Sequence, residues 1–233
     1  MITLNDICQD VKGAFSDRII CFDRKDVPPG IALPKSWEQF GLSLEVSPVY
    51  PQGWNSFLND FPSVIALFND SLLGTVLLLG DEVELLYVFH DASGFYYYVG
   101  GMPVEGGGIE NGEFKNLSGR LQDFYRDVHD GYTFYPARSM GPQSLNDQSR
   151  VSNLVDEEDD SFAENWITVF SNGGGDFIAV DADRPDDTEG LIWWHEDPMS
   201  PEEGVDIFEV MDAWMAIFLE DTKSRDELIA RLH

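Results

Sequence analysis

The sequence predicts an α+β protein, and three observations carry that prediction. Short runs rich in β-branched and aromatic residues fill most of the first hundred positions. A second group of such runs, between Trp166 and Trp194, surrounds the triple glycine Gly173-Gly174-Gly175. Two further segments, Leu117–His129 and Val205–Leu219, carry apolar residues at helical spacing.

In the first half, Arg18–Phe22 and Leu42–Val49 are expected strands, separated by a Pro-rich connection at Val27–Pro34. A meander of Val64–Phe68, Leu72–Leu79, Val83–Phe89 and Phe95–Val99 follows, with turns at Asn69-Asp70, Gly80-Asp81 and His90–Gly94. The unbroken apolar runs Leu77-Leu78-Leu79 and Leu85-Leu86 point to central strands covered on both faces. Phe95-Tyr96-Tyr97-Tyr98 reads as a packed strand rather than a binding surface, and nothing in this half has the spacing of a catalytic site.

Glycines crowd between Gly100 and Gly112, as a linker or a loop of close approach requires; the change of sequence style beyond them favours a linker. Residues 1–112 are therefore expected to form a β-rich region of unassigned role, and residues 113–233 a second domain. Its first helix places Leu117, Leu121, Phe124 and Val128 on one stripe and stops at Asp130-Gly131, where a left-handed glycine cap fits. Phe134-Tyr135-Pro136 is then extended, and Ser144–Val151 is expected to form a short helix.

Around the triple glycine the simplest reading is a three-stranded meander. Alternation puts Phe177, Ala179 and Asp181 on one face and Ile178 and Val180 on the other, and sends Trp193 and Trp194 to opposite faces. One of these tryptophans then belongs to the core, and the other is a lid or exposed. The closing helix has Ile207, Met211, Trp214 and Phe218 at helical spacing, with Phe208 and Met215 widening the stripe.

The 233 residues include 43% hydrophobic and 13% aromatic side chains, enough to build a sizeable core. The formal net charge of −29 repels nucleic acid and anionic lipid and attracts a basic partner. Two cysteines, Cys8 and Cys21, are too few for a disulfide framework. No secretory pattern is visible in the opening residues, and the apolar run Leu72–Leu79 is far shorter than the roughly 20 residues a spanning helix needs. A cytoplasmic location, with reduced thiols and no membrane or nucleic-acid partner, is the expectation.

The motif Leu117-x-x-x-Leu121-x-x-Phe124-Tyr125-x-x-x-His129-Asp130-Gly131 resembles the opening helix of the SUKH superfamily, the SMI/KNR-like proteins. The glycine turn ending in Asp176, the strand Phe177–Asp181, the acidic turn with Gly190–Trp194, and the amphipathic segment Val205–Leu219 follow in the order of that family. The resemblance covers about residues 113–225. It implies a mixed or antiparallel sheet wrapped by helices and no catalytic activity; no cofactor or metal is expected either. It further implies an immunity protein that binds a cognate bacterial toxin one-to-one, or, as in the fungal members, a regulatory scaffold for endogenous proteins.

The acidic residues can be weighed apart from that resemblance. Asp156-Glu157-Glu158-Asp159-Asp160 is a run of five like charges, and Asp181, Asp183, Asp186, Asp187 and Glu189 add five more. From Asp156 to Asp212, Arg184 is the sole lysine or arginine. Such blocks are either solvated loops or docking sites for a basic partner. Trp194, Phe134 and Tyr135 are the candidate aromatic anchors beside them, since interface centres favour such residues.

Enzymatic patterns are thin. The triple glycine lacks the Lys-Ser/Thr of a phosphate loop, and Asp181-x-Asp183 lacks the glycine and glutamate placement of a calcium loop. His195-Glu196-Asp197 has no second histidine at helical spacing, and Ser171 lacks a nucleophile-elbow context. Asp176, ending a glycine turn, is expected to cap backbone N–H groups rather than act as a base.

Overall fold

The computed structural model describes residues 2–44, 47–104, 112–155, 163–185 and 188–229. Thr3 and Asp6 start the first helix, α1 (Leu4–Ala14): the Thr3 hydroxyl accepts from the Asp6 N–H, and the Asp6 carboxylate accepts from the Thr3 N–H. Strand β1 (Ile19–Cys21) follows, then helix α2 (Pro62–Ser71) and the meander β2 (Gly74–Leu79), β3 (Val83–His90) and β4 (Phe95–Gly101). Helix α3 (Gly119–Asp127) leads to β5 (Tyr132–Tyr135) and the two-residue β6 (Gly141–Pro142). Strands β7 (Trp166–Ser171), β8 (Phe177–Asp181), β9 (Glu189–Trp193) and β10 (Glu202–Asp206) precede helices α4 (Ile207–Leu219) and α5 (Arg225–Leu228).

The strands form two antiparallel five-stranded sheets, ordered β1-β2-β3-β4-β5 and β10-β9-β8-β7-β6, so the α+β class holds. Register explains which side chains are buried where. In the first sheet Leu77 opposes Leu85 and Tyr87 opposes Tyr98, and these residues line one face. Val76, Leu78, Leu86, Val88, Tyr97 and Val99 line the other, where Ile7, Val11 and Phe15 of the α1 segment cover them. The unbroken apolar runs thus belong to strands buried on both sides, and Phe95–Tyr98 is a packed strand. In the second sheet Ile178 and Val180 face the large core and Ala179 faces a smaller one with Leu191 and Trp193.

Several local expectations fail for identifiable reasons. Val64–Phe68 is helical, not extended. Pro62 presets the first turn, and the Asp212 carboxylate, from α4, accepts from the Ser63 and Val64 N–H groups at 3.0–3.2 Å. The β-branched pair Val64-Ile65 reads locally as a strand; a distant cap overrides it. Leu42–Val49 forms no strand among its described residues, only an isolated bridge between Leu42 and Gly74. Ser144–Val151 is not a helix: after a turn at residues 145–147 the chain pairs with β7, where the Thr168 N–H donates to the Ser149 carbonyl at 2.9 Å, the Ser149 N–H donates to the Thr168 hydroxyl at 3.1 Å, and Arg150 bridges Ile167. A short 3-10 turn at Val151–Asn153 follows instead.

The expected boundary between residues 112 and 113 separates neither two sheets nor two cores. Strand β5, from beyond it, pairs with β4 in register Tyr98↔Phe134, and the main core runs from Cys21 to Leu219. A tight turn, with Phe134 N–H donating to the Ser139 carbonyl at 2.8 Å, carries the chain from the edge of one sheet to the edge of the other. Gly100 and Gly101 are strand residues rather than linker; a Cβ on Gly100 would stand 2.4 Å from the His129 ring. The remaining glycines at 106–108 lie outside the described residues. The outer edges are β1, three residues long, and β10, whose bulge at Glu203/Val205 and acidic side chains interrupt the ladder.

A polar chain threads the main core. The Trp54 indole N–H donates to the Tyr87 hydroxyl at 2.8 Å, and Tyr87 donates to His129 Nε2 at 2.7 Å. His129 Nδ1–H then donates to the Gly101 carbonyl at 3.0 Å, which fixes the neutral tautomer. The ring is fully buried, and that burial pushes its pKa down to about 3 despite the backbone hydrogen bond. The unfolded chain binds this proton near pH 6.5 and the folded chain does not, so the contribution to stability is complete above pH 6.5 and is lost as pH falls. Below that pH the loss is about 1.4 kcal/mol per pH unit. Urea unfolding at pH 7 and pH 4.5 should show His129→Gln losing about 2–3 kcal/mol less across this interval than the unaltered protein.

Candidate partner-binding surface

The glycine turn and the end of β9 are built to hold one another. Asn172 Oδ1 accepts from the Gly174 and Asp176 N–H groups at 2.7 and 3.1 Å, which closes the turn. Its Nδ2 donates to Asp176 Oδ2 at 2.7 Å and aims that carboxylate across the turn. Asp176 Oδ1 accepts from the His195 backbone N–H at 3.0 Å and from the His195 ring Nδ1–H at 2.7 Å. Gly175 has φ +105, and a Cβ there would lie 3.1 Å from the His195 ring, so both backbone and contact demand glycine. Asp176 thus caps one backbone N–H, that of His195, and holds the imidazole as well, while the N–H groups within the turn go to Asn172.

Partial burial pulls the Asp176 carboxyl up, but the hydrogen bonds from His195 and Asn172 outweigh it and leave its pKa below the ordinary value. Side-chain exposure is 13% for Asp176 and 46% for His195, so the latch sits at the surface. Beside it opens a cleft of about 540 Å³ lined by Gly174, Asp176, Trp194, His195, Glu196 and Asp197. Its lining offers an indole, an imidazole oriented by a carboxylate, and two further carboxylates. That set suits a cationic side chain, which an aromatic face and carboxylates both attract. Among the described residues no group of three or more His, Cys, Asp or Glu side chains is arranged to hold a metal ion. His90, His129 and His195 are not drawn together: His129 is buried at Tyr87 and His195 lies on this rim.

Trp193 and Trp194 point to opposite faces. Trp193 is buried in the smaller core and its indole N–H donates to the Pro198 carbonyl. Trp194 is half-buried and meets Trp214 of α4 at 6.2 Å between ring centroids. From Trp214, which also packs on Phe170, the aromatic surface continues one helical turn to Phe218. The Phe218 carbonyl accepts from the Tyr96 hydroxyl at 3.2 Å, and Tyr96 stacks on Phe134 at 4.7 Å. Trp194 and Phe134, far apart in sequence, therefore stand at two ends of one aromatic lane along α4.

The other expected residues go elsewhere. Tyr135 faces the opposite side of its sheet and packs on Phe15 at 4.4 Å. Asp181 and Asp183 sit at the far end of β8 from Phe177, which pairs with Trp193, and so about 13 Å along the strand from the cleft. There Asp181 accepts from the Asp183 N–H and from Arg184 Nε, and Asp183 accepts from Asn165. Asp156, Glu157, Glu158, Asp159, Asp160, Asp186 and Asp187 lie outside the described residues. Sequence reasoning did not single out Trp214, Ile217, Phe218 and Tyr96 as surface. The signal was present: Ala213–Leu219 is apolar all round, more than one buried face can use.

No helix among the described residues is long and apolar enough to cross a membrane. Comparison with protein-family models, curated proteins and solved structures gives no match.

If the latch holds the cleft open, Asp176→Ala should lower stability by about 1–3 kcal/mol, because the His195 and Asn172 donors lose their acceptor. Asp176→Asn, which keeps one carbonyl acceptor, should cost less. Urea denaturation read by tryptophan fluorescence ranks the two variants, and equal stability of all three proteins would refute the latch.

Proposed function

We propose that the protein is a non-enzymatic immunity protein that binds a basic toxin domain one-to-one and neutralises it. The observation that carries this reading is the union of a net charge of −29 with a half-exposed aromatic lane that ends in a carboxylate-lined cleft. Charge of this density steers a cationic partner and raises its association rate, while aromatic anchors supply the lasting contact. The SUKH resemblance of residues 113–225 supports the same reading, and the order α3, glycine turn, β8, β9, α4 is compatible with it. Inhibition would proceed by covering the toxin's substrate surface or by holding its fold inactive.

Association should be strongly salt-dependent. Replacing Asp156–Asp160 together with Glu196 and Asp197 by Asn and Gln should slow association at low salt about tenfold and change it little at high salt. Affinity purification from native lysate, followed by mass spectrometry and stopped-flow measurement on the recovered complex, reads this directly. Recovery of one basic toxin fragment in a one-to-one complex, whose activity falls on binding, is the expected result. Recovery of several endogenous proteins with no toxin would favour the SMI/KNR-like scaffold instead.

A further inference from the structure

We propose that the outward face of α4 docks a cationic amphipathic helix of the partner protein. This rests on the immunity reading above and names the surface and the chemistry it recognises. At 100° per residue, Val210, Ala213 and Ile217 stand on the solvent side of α4, with Trp214 and Phe218 along one flank. Ile217 is 56% exposed, Ala213 is exposed, and Val210, Trp214 and Phe218 are half-buried against the main core. The buried side of the helix is satisfied by Phe208, Met211, Met215 and Leu219. Ile217 and Ala213 are therefore surplus to the fold, and with the exposed sides of Val210, Trp214 and Phe218, and with Trp194 beside Trp214, they make a continuous strip.

Charge selects the occupant. Glu209 and Glu220 edge the strip on one side of the helix, Glu196 and Asp197 follow Trp194 on the other, and Asp221 lies at its end. No lysine or arginine occurs in the sequence between Arg184 and Lys223. An apolar strip between two acidic edges fits a helix with apolar residues on one face and cations on both flanks. A second copy of this chain would bring acidic edges against acidic edges, and an anionic lipid surface would meet the same repulsion.

The test uses the full chain and a synthetic peptide about four turns long, with leucines at i, i+3, i+4 and i+7 and lysines elsewhere. An isomer of identical composition with the leucines scattered serves as its control. Binding is read by NMR spectra of the tryptophan indoles and by fluorescence titration. The amphipathic peptide should bind about tenfold more tightly than its isomer and shift the Trp194 and Trp214 indoles. Ile217→Glu should weaken that binding about tenfold with an unchanged unfolding midpoint, and Ile217→Leu should retain it. Equal binding of the two peptides, or full binding by Ile217→Glu, would overturn the proposal. So would an Ile217-dependent dimer in the absence of peptide, or Ile217-dependent adsorption to phosphatidylcholine vesicles. No toxin enters these measurements, so their failure leaves the immunity reading standing, while a failed toxin recovery leaves their outcome unaltered.

Discussion

The Asp212 carboxylate is the interaction on which the arrangement of the two sheets depends. It is 7% exposed, sits in the middle of α4, and accepts from two N–H groups at the start of α2. Those donors belong to the helix end whose partial positive charge a carboxylate stabilises, and without it the Val64 N–H would be left unpaired in a buried place. One side chain thus fixes the last long helix to an element nearly 150 positions earlier. Because α4 also packs on β6, β8, β9 and β10, the cap joins the second sheet to the core of the first. The aromatic lane follows from the same placement. With its inner face committed to both sheets and Asp212 committed to α2, α4 has apolar side chains left over on the outside.

Much of the sheet structure is legible from residue pattern. The turns of the first meander and the strands from Leu72 to Val99 are encoded locally, by apolar runs between Asp, Gly and Ser pairs, and the register follows the alternation. The division of Ile178 and Val180 from Ala179, and of Trp193 from Trp194, follows from the pleat alone. What sequence pattern does not contain is long-range capping. Val64–Phe68 is a helix because of Asp212, and Ser149 and Arg150 are held out of a helix because they pair with Thr168 and Ile167 of β7. In each case the deciding partner is outside the window in which periodicity is read. Helix α1 illustrates a different miss, since its Thr3–Asp6 cap and its Ile7, Val11 spacing are local and readable.

The candidate surface was half legible. Composition names Trp194 and Phe134 as aromatic candidates, but only the fold shows that α4 links them through Trp214, Phe218 and Tyr96. Tyr135, adjacent to Phe134, is carried to the other face by the same alternation that makes Phe134 part of the lane. The acidic residues divide in a comparable way. Glu196 and Asp197 line the cleft, whereas Asp181 and Asp183 organise a turn at the opposite end of the strand. Local charge density is therefore a poor guide to where charge acts, although the total is a good guide to what it repels.

The placement of the sheet edges has a consequence for how any protein can be recognised. Each sheet turns one edge, β5 or β6, toward the other, so the free edges are β1 and β10. The first is only three residues long; the second is bulged and carries Glu202, Glu203 and Asp206. Among the described residues, neither offers a run of unpaired backbone groups long and neutral enough to template an added strand. At these two edges of the described residues, main-chain zippering, the least selective mode of protein association, finds no template. Selection of a partner falls to side chains, whose identity a lineage can change one at a time without disturbing the fold.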